Sequence, residues 1–174
     1  MKDSVRILGH AVHPMLVVFP LGLLTTSVVF DVIHYATGDW LWSTISFWTM
    51  TVGLIGGLAA ALFGLMDWSA LPAGSRARHI GSRHAIVNAV VLVLFAVSWI
   101  IRLPAEQMNA APNALAFVLS LVGLAFALVG GWLGGELVER FGISVLGRTN
   151  VDAPSSLSNE ADRSSWPGGT GMSA

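Results

Sequence analysis

Four stretches of the chain, Ala11 to Phe30, Leu41 to Met66, Ala85 to Ile101 and Gln107 to Gly135, contain no Asp, Glu, Lys or Arg. Each can cross a bilayer, which takes roughly 17 to 25 mostly apolar residues. The third is just long enough, and the second and fourth leave room for tilt. The pattern predicts an all-α, four-helix transmembrane bundle with spans at about 11–34, 41–66, 84–102 and 110–136. Residues 1–149 form one membrane domain in this reading. The Pro-, Ser-, Gly- and acid-containing stretch 150–174 has too few apolar residues to fold alone and reads as a disordered cytoplasmic tail.

Composition fits a membrane chain: 54% of residues are hydrophobic and 11% charged, with a mean hydropathy of +0.70. A net charge of -1 offers no footprint for nucleic acid. Eight of the nine basic residues flank one side of the predicted spans: Lys2 and Arg6, then Arg76, Arg78 and Arg83, then Arg140, Arg148 and Arg163. Lys and Arg near span ends favour the cytoplasm, so both termini are expected there, in the inner membrane. The opposite loops hold Asp31, Asp39, Glu106 and only Arg102. Pro14 and Pro20 interrupt the first stretch and no cleavage pattern follows Phe30, so it reads as a retained anchor. The absence of cysteine excludes disulfides, thiolate metal sites and iron–sulfur ligation by this chain.

Helices in lipid pack closely where small residues recur. Gly56, Ala60 and Gly64 recur at fourth positions in the second span, and Gly123, Ala127, Gly131 and Gly135 in the fourth. These rows are expected to meet a neighbouring helix, in the same chain or in a second copy as a homo-oligomer. No heptad, solenoid repeat or phosphate loop stands out. Trp40, Trp42, Trp68, Trp99 and Trp132 lie near span ends and read as an aromatic belt.

The candidate chemistry gathers on the basic side. His10 and His13 precede the first span, Asp67 follows the second, His84 starts the third and Glu136 follows the fourth. Imidazoles at helix starts and carboxylates at helix ends each oppose the local helix dipole, which a bound cation or a His–carboxylate pair would relieve. Pro14 suggests that His13 caps the first helix rather than lying within it. Asn88, one turn beyond His84, is placed to orient a ligand. His79, among arginines, reads as solvated. At the outer end, Ser27, Asp31 and His34 can share one face and form a minor candidate site.

The segments Gly9-His10-Ala11-Val12-His13-Pro14-Met15, Gly64-Leu65-Met66-Asp67-Trp68, Arg83-His84-Ala85 with Asn88, and Gly131-Trp132-Leu133-Gly134-Gly135-Glu136 resemble a family of small membrane proteins catalogued as domain of unknown function 2231. The resemblance covers about residues 5–147. It implies four spans and carries no assigned chemistry. Some members are joined to Rieske-type iron–sulfur domains, which implies a redox setting and a membrane redox partner.

Four readings follow for the inner cluster. The first is a non-haem iron, manganese or zinc site built from His10, His13, Asp67, His84 and Glu136. The second is haem b between His13 and His84 in an electron-transfer cytochrome. The third is a proton or cation relay, for which the mid-span residues Thr25, Thr26, Ser46, Thr49, Thr51, Asn88, Ser98 and Ser120 make a thin wire. The fourth is a structural subunit whose charges only tie helix ends together. No substrate pocket or open coordination position is legible, so no enzymatic activity is assigned.

Overall fold

The computed structural model describes residues 5–8, 10–107 and 113–145, the side chains of 104–107 excepted. The tail from residue 150 lies outside the described residues. The chain opens with a two-stranded antiparallel hairpin, β1 (Arg6–Ile7) and β2 (His10–Ala11), in which Arg6 pairs with Ala11. Five helices follow: α1 (Val12–Leu16), α2 (Val18–Thr37), α3 (Trp40–Ser69), α4 (Arg76–Gln107) and α5 (Ala114–Glu139). Four long apolar segments, Val12–Thr37, Trp40–Ser69, Arg76–Leu103 and Ala114–Glu139, can cross a membrane.

The helix ends have local causes. Pro20 removes the donor that would close onto Leu16, and the first span breaks there into α1 and α2. Gly38, at φ +71°, ends α2 in the left-handed conformation that glycine adopts without strain. The Asp39 side chain then accepts from the Leu41 N–H to cap α3, and Asn113 does the same for α5 through Leu115. α4 starts at Arg76, well before the expected residue 84. Charged side chains mark where lipid ends, whereas a helix continues through them into the interface.

The helices form two antiparallel hairpins, α2 with α3 and α4 with α5, which pack against each other. Each span buries only 22% of its most apolar window. Large apolar residues such as Leu58, Leu62, Ile86 and Leu128 stay exposed. Water would make that arrangement unstable, whereas lipid tails accept it. Inside, Leu24, Val28, Met50, Val91 and Phe95 make the apolar core.

The inward positions follow a seven-residue rhythm in the four long helices. In α3 they are Ser46, Met50, Gly53, Gly57, Ala60 and Gly64, and in α5 Ala116, Ser120, Gly123, Ala127, Gly130 and Gly134. Spacings of four and three keep a seam facing its neighbour, whereas a strict fourth-residue row drifts around the helix. Within the chain, the α5 contact row therefore runs through Gly130 and Gly134 in place of the expected Gly131 and Gly135. A Cβ at Gly131 or Gly135 would meet nothing within 4 Å, whereas one at Gly130 would strike Asn88 and one at Gly134 would strike His84.

These seams expose an internal correspondence between the hairpins. Asp31 and Arg102 are 71 residues apart, and the same interval separates His13 from His84, Leu24 from Phe95 and Ser27 from Ser98. Along α3 and α5 the interval is one residue shorter. The contacts repeat with it: Gly53 packs on Leu24 as Gly123 does on Phe95, and Gly64 packs on His13 as Gly134 does on His84. His13 faces His84 at one end and Asp31 faces Arg102 at the other, so corresponding residues meet along an approximate two-fold axis parallel to the helices.

Candidate functional site

The inner end of this axis is built by two equivalent clamps. The His13 Nδ1 lies 2.8 Å from the Ala60 carbonyl oxygen on α3, and the His84 Nδ1 lies 3.0 Å from the Gly130 carbonyl oxygen on α5. A carbonyl has no proton to give, so each Nδ1 is the N–H donor. In the neutral ring that leaves the lone pair on Nε2, the tautomer of an imidazole ready to bind a metal. The two ring centroids are 6.3 Å apart and the ring planes are perpendicular.

Glycine makes both clamps possible. An added Cβ would come within 2.8 Å of the His13 Cε1 at Gly64 and within 3.1 Å of the His84 Cε1 at Gly134. Asn88 completes one side only. Its Nδ2 donates to the His84 carbonyl oxygen at 2.8 Å and stands 3.3 Å from both ring nitrogens. An approach equidistant from both nitrogens within the ring plane would collide with Cε1, so the amide lies over the ring face. The corresponding residue beside His13 is Val17, which makes the two imidazoles inequivalent.

The other sequence-predicted ligands stand elsewhere. His10 is exposed and its Nδ1 bonds the Leu8 carbonyl oxygen at 3.0 Å. Asp67 accepts the Val5 N–H through Oδ1 at 2.9 Å, which ties the N-terminal hairpin to the end of α3. Glu136 lies one residue off the α5 seam and faces Arg140 at 3.9 Å beside an open cleft. Among the described residues, no group of three or more His, Asp or Glu side chains could hold a metal ion. The five-residue cluster thus reduces to two imidazoles, because sequence gave the depth of each group and not its direction around the helix. His13 also lies within α1, with Ala11 at the cap position. The tethered hairpin and the bond to Ala60 hold it there. His84 is well inside α4, so the expected helix-end dipole does not act on it.

The outer candidate is closed by an ion pair that the sequence did not reveal. Asp31 is fully buried and Arg102 is 2% exposed. Arg102 Nη1 reaches Asp31 Oδ1 at 2.6 Å and Nη2 reaches Oδ2 at 2.7 Å. Ser98 accepts from Nε and Ser120 from Nη2, both at 3.2 Å. His34 is bonded through Nδ1 to the Asp39 carbonyl oxygen, and Ser27 donates to the Leu24 carbonyl oxygen. Asp31 therefore has its cation already, and each of the three residues of the minor candidate site has its own partner. Two tryptophans also leave the expected belt for packing: Trp99 stacks on Phe47 and donates to Thr51, and Trp68 donates to Ser82 beneath Arg78.

A family model described as "Predicted membrane protein (DUF2231)" matches residues 9–147. The chain belongs to this family. It is an integral membrane protein of four spans, and the clamped histidines and the Asn88 amide all lie within the matched region. No curated protein matches the chain, and no solved structure does.

Proposed function

We propose that this membrane protein carries one haem b, with His13 and His84 as its two axial ligands, and passes electrons at the cytoplasmic end of the bundle. The separation and tautomers of the two rings carry the reading. A ring nitrogen stands little more than an ångström from its centroid and a metal–nitrogen bond adds about 2 Å, so imidazoles trans across one metal have centroids about 6 Å apart. Ligands sharing a tetrahedral metal would stand closer together. The observed 6.3 Å supports the trans arrangement.

Two protein ligands leave four coordination positions to fill. Asp67 and Glu136 are engaged elsewhere and the chain has no thiols, which favours a group that brings four nitrogens of its own. Iron with both axial positions filled suits electron transfer rather than substrate binding. The apolar layer of Leu24, Met50 and Phe95 separates the histidines from the outer polar network, which argues against a proton wire. The basic flanks favour a cytoplasmic site, where a redox partner would meet it.

The test is the visible spectrum of detergent-purified protein produced with added haem precursor. A Soret band, a sharp α-band on reduction and one haem per chain are expected. His13→Ala and His84→Ala should each abolish the six-coordinate spectrum while the chain remains monodisperse. A colourless wild-type protein, or a spectrum indifferent to both substitutions, would overturn the proposal.

A further inference from the structure

A second site lies away from the histidines. Arg76 at the start of α4, Glu136 and Arg140 at the end of α5, and Phe141 line an open cleft of about 340 Å³. The Arg76 guanidinium lies over the Phe141 ring, 5.9 Å from its centroid. Arg140 is 74% exposed and meets Glu136 only through Nε at 3.9 Å. Its terminal amino groups donate to no acceptor among the described residues. The cleft thus sets two guanidiniums against one loosely engaged carboxylate and has a positive surplus.

Position supplies the ligand. Arg76 begins one membrane span and Glu139 ends another, so the cleft opens at the depth of lipid phosphates. From this we infer that the cleft seats the phosphate of an anionic phospholipid headgroup. Guanidinium edges bind phosphate oxygens in pairs, and basic pockets between span ends select anionic lipids by the same chemistry. The glycerol and acyl chains would continue along the apolar faces of α4 and α5. The inference is independent of the haem proposal.

Native mass spectrometry of the full chain in detergent, with phosphatidylglycerol or phosphatidylcholine of matched acyl chains, tests it. Wild-type protein should retain phosphatidylglycerol with a preference of roughly fivefold or more. Arg76→Gln with Arg140→Gln should erase the preference, and Glu136→Gln, which removes the competing carboxylate, should increase it. The Glu136→Gln gain cannot arise from misfolding. Equal retention of the two lipids by wild-type protein, or a preference unchanged by these variants, overturns the inference. Equally tight binding of soluble glycerol phosphate would overturn the lipid assignment in favour of a free phosphate ligand.

Discussion

Exchanging Asp31 and Arg102 tests the two-fold correspondence more directly than deleting either. Removing one member of a buried ion pair strands the other charge, at a cost of about 3–5 kcal/mol. Asp31→Asn or Arg102→Gln should therefore lower stability by that order, because both side chains are buried and Arg102 makes four hydrogen bonds. The exchanged chain, Asp31→Arg with Arg102→Asp, should recover most of the loss. An arginine at 31 would find Ser27 four residues before it, as Arg102 finds Ser98. The position corresponding to Ser120 is Met50, so one hydroxyl partner is missing. A hydrogen bond to a charged group contributes about 1.5–3 kcal/mol, and the exchange should fall short of wild type by no more than that. Thermal unfolding in detergent, at fixed lipid content, reads the series. If the exchanged chain is no more stable than the weaker single variant, corresponding positions do not face each other as described.

The glycine contacts give a graded set. Gly64→Ala should cost about 1–3 kcal/mol and displace His13, Gly134→Ala should cost less, and Gly131→Ala, which meets open space, should be neutral or slightly stabilising in the same unfolding assay. Asp67→Ala and Glu136→Ala should leave the haem spectrum unchanged, although Asp67→Ala should increase proteolysis near residue 5; a lost Soret band in either would restore the carboxylates to the site. Asn88→Val, which installs the counterpart of Val17, should shift the reduction potential while one haem per chain is kept. An unchanged potential in a potentiometric titration would reduce Asn88 to packing.

The four spans, the basic flanks and the depth of His13, His84, Asp67 and Glu136 were all legible in the chain, because each depends only on position along it. Direction around the helix was not. In lipid the outer face is as apolar as the core, so the usual hydrophobic periodicity vanishes, and only small and polar residues mark the seam. Gly131 and Gly135 continue the fourth-residue row begun at Gly123, yet one more residue of drift turns them away from the bundle. The Asp31–Arg102 pair was hidden for a different reason. Its members lie on separate hairpins, and only the shared interval with His13 and His84 brings them into correspondence.

The two ends of the axis show what a duplicated hairpin can do that a pair of identical chains cannot. A single group bound on a two-fold axis is served by the same residue type from both halves, and His13 and His84 are such a pair. An ion pair on the same axis needs opposite residues. Two copies of either hairpin would set Asp against Asp or Arg against Arg in a buried, low-dielectric site, where like charges repel strongly. Joined in one chain, the halves can differ, and the outer end becomes a lock that fits hairpin one only to hairpin two. The proposed ligation asks for like residues at the histidine end, while assembly asks for unlike ones at the ion-pair end. About 27 Å of helix, eighteen residues from His13 to Asp31, lets one fold meet both demands.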